Sequence, residues 1–236
     1  AGTFFGCTSG SNGSTGIVAG SGSSTVDGCD VTNNGGAGVM IAGNGDFSEL
    51  TILGNNGTGL SAGNGGSTFT DCELGNNAGS GISVGEGTSY FTDITISNSS
   101  AGRGIYNGGT GEFVNVTVSG SSSDGIYTGA STSLNNCSSS DNGGYGIWVE
   151  SAGFLTNCAA DGNSTGIYVG AYSSEIINSL ATNNSTYGME LMNSSTLIQN
   201  CTISDNGTGV FAGGTSGPAF MNVILYDNTT ELDGES

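Results

Sequence analysis

Apolar positions along this chain fall into columns that return every 20 to 23 residues. A glycine followed by an aliphatic opens each repeat: Gly16-Ile17, Gly38-Val39, Gly59-Leu60, Gly81-Ile82, Gly104-Ile105, Gly125-Ile126, Gly146-Ile147, Gly166-Ile167, Gly188-Met189 and Gly209-Val210. Two residues on, a second small or aliphatic residue recurs (Ala19, Ile41, Ala62, Val84, Val149, Val169, Leu191, Ala212), and this period of two predicts a short strand. About eight to ten residues after the first aliphatic comes a bulkier column: Val26, Phe47, Phe69, Phe91, Phe113, Leu134, Leu155, Ile176, Ile198 and Phe220. Two further columns follow, one holding Cys29, Cys72, Cys137, Cys158 and Cys201, the other Val31, Ile52, Leu74, Ile96 and Val118.

A repeat of this length cannot bury its own apolar face, so each turn must lie on its neighbour, residue over equivalent residue. The pattern therefore predicts an all-β chain: a single-stranded right-handed parallel β-helix, or solenoid, of about ten turns. Strands at about 4.8 Å spacing then bring Phe69, Phe91 and Phe113 into contact in series. A helical reading fails because the period inside each segment is two, and 46 glycines would penalise helix in every turn. Residues 1–228 form the predicted β-helix and 229–236 a C-terminal tail or linker. Asparagine adds two polar columns. One, from Asp71 and Asp93 through Asn115 to Asn222, precedes the cysteine column; the other, read as an exposed corner, holds Asn34, Asn56, Asn77, Asn98, Asn142, Asn163, Asn184, Asn206 and Asn228.

These G-[IVL]-x-[VIA] and Asn-Cys/Val-x-[IVL] strands resemble the right-handed parallel β-helices of the pectate-lyase-like superfamily, over residues 4 to 228. That superfamily contains enzymes, adhesins, phage tailspikes and surface repeat proteins, so the resemblance implies a fold rather than an activity. Its members that cleave polyuronates by β-elimination use a Lys or Arg base, with basic residues or calcium to neutralise the substrate carboxylate.

Charge narrows the choice. Twenty acidic residues face one base, Arg103, with no histidine, for a formal net charge of −19. Such a surface offers nothing to neutralise phosphates, so no nucleic acid is expected as partner, and polyuronate is repelled. No apolar run approaches the roughly 20 residues needed to span a bilayer, so no membrane insertion is expected. Asp71, Glu73 and Asp93 form the densest acidic cluster, but without a base or a long loop to wall a cleft they read as a solvated face. No catalytic residue, metal site or cofactor is expected.

Three features remain that carry partner chemistry. Tyr106, Tyr127, Trp148 and Tyr168 occupy the outward position between two inward ones and should form a flat apolar strip over about 14 Å, suited to sugars or to a lateral protein contact. Sequons at Asn56, Asn98, Asn163, Asn184, Asn206 and Asn228 offer a row of N-glycosylation sites. Cys7 with Cys29, and Cys137 with Cys158, lie on adjacent turns within disulfide reach. Neither end carries a helical cap, which favours end-to-end self-association. The sequence thus predicts an extracellular or cell-surface structural rod, a filament subunit or adhesion and spacer module. The alternative is a carbohydrate-binding or carbohydrate-active protein that uses the aromatic strip.

Overall fold

The computed structural model describes residues 1–170 and 172–234. Its strands are short because the chain turns a corner after every few residues, and all pair in parallel with strands about one repeat away in sequence. One sheet has eleven strands, from Ile17–Ala19 to Thr230–Gly234; the other has nineteen and is bent lengthwise. No helix occurs among the described residues. The chain is a β-solenoid, and equivalent columns stack in register: Ile82 on Ile105, Phe69 on Phe91, Cys72 on Ile94, Leu74 on Ile96.

All five inward columns line one continuous interior. At its centre Phe47, Phe69, Phe91 and Phe113 stack with ring centroids 5.0, 4.8 and 4.5 Å apart and planes within 9° of parallel. The sheet's own strand spacing dictates that separation, so identical rings pack as a column rather than edge to face. At the last described turn Phe220 is 41 % exposed.

The bend in the nineteen-stranded sheet is made by one residue per turn in the left-handed conformation: Asp71, Asp93, Asn115, Asn136, Asn157, Asn178, Asn200 and Asn222, all with φ between 51° and 58°. Asn and Asp tolerate this region better than other side chains. Their amides also join the turns outside, Asn136 Nδ2 donating to Asn115 Oδ1 at 2.8 Å and Asn115 Nδ2 to Asp93 Oδ1 at 2.8 Å. Asp71 and Asp93 are thus corner residues, and Glu73 is exposed beside them.

A second ladder runs inside. Asn34, Asn55, Asn77, Asn142, Asn163, Asn184 and Asn206 are at most 3 % exposed. Where an asparagine precedes it in the ladder, each Oδ1 accepts two bonds from the preceding turn: Asn184 Oδ1 takes Asn163 N–H at 3.0 Å and Asn163 Nδ2 at 3.2 Å. Asn184 Nδ2 in turn donates to Asn206 Oδ1 at 2.9 Å. Ser99 and Ser121 hold the two middle places, where the shorter side chain leaves Ser121 Oγ without a partner.

Four expectations change here. The corner is a pair, a left-handed residue followed by a buried ladder residue, so Asn98 is the left-handed member before Ser99, and Asn56 lies outside beyond Asn55. Asn163, Asn184 and Asn206 are therefore not on an exposed corner; their amide nitrogens are buried donors, closed to a glycan, while Asn228 is half-buried with Nδ2 donated to Ile203 O at 3.0 Å. Cys7, Cys29, Cys137 and Cys158 are free thiols. In-register strands hold paired Cβ–Sγ bonds side by side rather than facing, and the thiols turn to carbonyls: Cys137 to Asn135 O and Cys158 to Thr156 O, both at 3.5 Å. Finally, residues 230–234 are not a linker: Thr230–Gly234 pairs with Thr208–Gly213 and adds a strand to the solenoid. Glu235 and Ser236 of the expected tail lie outside the described residues.

Candidate ligand-binding face

The outer face of the eleven-stranded sheet gathers most of the chain's unusual chemistry. Alternation along Ile105–Asn107, Ile126–Thr128, Tyr145–Val149 and Thr165–Val169 sends the isoleucines and valines inward and the residue between them outward. In-register pairing then stacks Tyr106, Tyr127, Trp148 and Tyr168 as expected, and continues through Glu190 to Phe211.

A second outward column runs beside the first and was not anticipated. It occupies the position just before each repeat glycine: Arg103, Asp124, Tyr145, Thr165, Tyr187 and Thr208, with Tyr145, Thr165, Tyr187 and Thr208 paired in register. The signal was present in the sequence, as a side chain preceding each repeat Gly, but its direction depends on the corner geometry. Two columns side by side make a patch two residues wide.

The patch is not the flat strip expected from the sequence. Tyr106 and Tyr127 stack in parallel, 5.1 Å apart and 1° from coplanar. Trp148 then turns edge-on to Tyr127 at 79°, and Tyr145 wedges between Trp148 at 4.8 Å and Tyr168 at 5.2 Å. Tyr187 stacks on Phe211 at 5.0 Å. With a wide indole above and a second ring column beside it, edge-to-face packing fills the space better than coplanar stacking. All seven rings are consequently half-buried.

Arg103, the one cationic side chain, sits in this patch. Its guanidinium carbon lies 4.5 Å from the Tyr127 ring centre, 5.4 Å from Tyr106 and 5.7 Å from Trp148, so the cation is held over aromatic faces. Its Nε donates to Asp124 Oδ2 at 2.7 Å, and buried Asp124 also accepts Tyr145 N–H on Oδ1 at 3.0 Å. Two carboxylates complete the patch. Glu150 Oε2 accepts Trp148 Nε1–H at 2.8 Å. Glu190 is half-buried against Tyr145, and desolvation pushes its carboxyl above the ordinary range, a rise opposed by the Tyr145 hydroxyl hydrogen bond. Desolvation, followed by the charge of Glu190, pushes Tyr145 up to about 12, and Tyr127 and Tyr168 are raised for the same first cause. These phenols stay protonated through the physiological range and act as donors, while the carboxylates accept. The face offers apolar rings fringed by fixed donors and acceptors, which suits a polyhydroxylated ligand.

The family described as "Right handed beta helix region" matches residues 37–180 and 154–234, and the chain belongs to it. The solenoid is accordingly right-handed. Among solved structures, the periplasmic alginate epimerase AlgG is similar with a TM-score of 0.57 at 12% identity, covering 96% of this chain and 79% of that one. A point mutant of AlgG gives 0.55 at 11%, covering 92% and 78%. The A-module of the Azotobacter vinelandii mannuronan C-5 epimerase AlgE4 gives 0.44 at 15%, covering 92% and 70%. A comparison with curated protein sequences finds no match. Among the described residues no helix is long and apolar enough to cross a membrane.

Proposed function

We propose that this protein is a carbohydrate-binding β-helix that takes a glycan on the aromatic face of its eleven-stranded sheet, outside the cytoplasm. The observation that carries this reading is the two-column patch of Tyr106, Tyr127, Tyr145, Trp148, Tyr168 and Tyr187, fringed by Glu150 and Glu190. Sugar rings present C–H faces that stack on aromatic planes and hydroxyls that meet fixed donors and acceptors. The epimerases that share the fold at TM-scores above 0.5 are named for a polysaccharide and for the periplasm, which supports the carbohydrate reading and the location over a purely structural rod. With −19 net charge and its one cationic side chain already paired to Asp124, the face favours uncharged sugars over polyuronates. The test is a glycan array probed with wild type and with the Tyr127→Ala, Trp148→Ala double variant. Loss of at least about tenfold in affinity is expected for the bound glycans; an unchanged profile refutes the assignment.

A further inference from the structure

The chain is rich in one reactive pairing. Asparagine is followed directly by glycine at eight places: Asn12, Asn34, Asn44, Asn56, Asn64, Asn107, Asn142 and Asn206. Glycine has no side chain to shield its own nitrogen, so an Asn-Gly bond is open to cyclisation, in which that nitrogen attacks the asparagine carboxamide. Two conditions must hold together. The carboxamide must be free to turn onto its own main chain, and the glycine N–H must not be held in a hydrogen bond.

The fold withholds one condition or both at seven of the eight. Asn34, Asn142 and Asn206 belong to the buried ladder, and the N–H groups of Gly35, Gly143 and Gly207 donate to Asn12 O at 2.7 Å, Ser121 O at 2.9 Å and Asn184 O at 3.1 Å. Asn107 is buried, and Gly108 N–H donates to Val84 O at 3.0 Å. Nearer the surface, Asn44 Oδ1 accepts the Ser23 hydroxyl at 2.9 Å while Gly45 N–H donates to Ser67 Oγ at 3.1 Å. Asn64 Oδ1 accepts Glu86 N–H at 3.1 Å, and Gly65 N–H donates to Glu86 O at 2.8 Å. Asn12 is exposed, but its Nδ2 donates to Ser9 Oγ at 3.0 Å and to Asn34 Oδ1 at 2.8 Å.

Asn56 is the exception. Its main-chain N–H donates to Asn34 O at 2.8 Å and anchors the loop, yet its exposed carboxamide and the N–H of Gly57 have no hydrogen-bond partner among the described residues. We infer that Asn56 is the principal site of spontaneous deamidation in this protein, converted through a cyclic imide to aspartate and isoaspartate. The Gly57 nitrogen bonds to Asn56 Cγ, the Cγ–Nδ2 bond breaks, and Nδ2 leaves as ammonia with the proton from Gly57. Water then opens the imide. Attack at the side-chain carbonyl gives aspartate, and attack at the main-chain carbonyl gives isoaspartate. Either product adds one negative charge to a chain already at −19. Isoaspartate also lengthens the main chain by one carbon, in the loop between Thr51–Leu53 and Leu60–Ala62, so both strands keep their register. The aromatic face takes no part, and the assignment stands apart from the glycan reading.

The test is storage of the full chain in mildly alkaline buffer, followed by peptide mapping, with isoaspartate quantified by isoaspartyl methyltransferase labelling. Asn56 is expected to convert at least about tenfold faster than each of the other seven, which react only through local opening of the fold. In concentrated urea that preference is expected to vanish, because every pairing is then equally exposed. Asn56→Gln, whose longer side chain cyclises far less readily, is expected to remove the main acidic species from the ion-exchange profile of the stored protein. A preference below about tenfold in the folded chain, or a faster site elsewhere, overturns the inference. So does a preference that survives in urea, or an acidic species that persists in Asn56→Gln.

Discussion

At the residue scale the inner asparagine ladder shows how much one side chain can carry. Asn184 Oδ1 serves two buried donors on Asn163, and its own Nδ2 serves Ala160 O at 3.2 Å and Asn206 Oδ1. Asn184→Ala leaves those donors unpaired in a closed interior, so a loss of about 2–4 kcal/mol is expected, measurable by urea denaturation. A loss below about 0.5 kcal/mol would contradict the buried ladder. Glycan attachment follows the same burial: if the protein is secreted from a eukaryotic host, glycopeptides are expected at exposed Asn56 and Asn98 and none at Asn163, Asn184 or Asn206. Glu190 gives a pH signature. Its folded carboxyl sits above the ordinary value of 4.5, so the folded state prefers the neutral acid. Its contribution is present below the ordinary range and lost as pH rises through the raised value. Glu190→Gln, neutral throughout, is therefore expected to gain stability relative to wild type as pH rises through and above the ordinary carboxylate range, and a constant difference across paired urea melts would refute it.

At the scale of the element, a strand of three residues has no stability of its own and exists because the turns above and below complete it. The stacked phenylalanines show this: the ring of Phe91 is sandwiched between equivalents of itself, Phe69 and Phe113. Phe91→Ala opens a void between two rings that the strand spacing holds apart, and a cost of about 3–5 kcal/mol is expected by chemical denaturation. Phe91→Leu, which matches Leu134 and Leu155 in the same column, should lose much less. The same element logic limited the reading of the corners. The left-handed residue and the ladder residue are adjacent, both are usually Asn or Asp, and only the φ of about 53° at Asn76 and Asn98 tells them apart. A slip of one place put Asn56 and Asn98 in the wrong column, and no periodicity corrects an error between neighbours of like chemistry.

At the scale of the whole molecule the solenoid is a sum of turns and their interfaces. Deleting residues 38–58, one complete repeat, keeps every column in phase. Such a chain is expected to retain its strand spectrum and cooperative unfolding with a smaller m-value. Deleting residues 38–48 puts half a turn out of phase, turns inward columns outward, and is expected to leave the chain unfolded by circular dichroism. Equal behaviour of the two deletions would contradict the stacked architecture.

The sequence alone determined the architecture, because a strict repeat leaves like residues no choice but to lie on like: the five inward columns, the phenylalanine series and the Tyr106 to Tyr168 row all follow from counting. Tertiary structure decided everything that depends on the direction of a corner. It turned the residue before each glycine outward, so that Arg103, Asp124, Tyr145 and Tyr187 join the aromatic row. It tilted the rings of that row out of a common plane, and it buried Asn163, Asn184 and Asn206. Register along the chain is a one-dimensional property and can be read from spacing. Side-chain direction at a bend depends on one backbone dihedral, which residue type biases but does not fix.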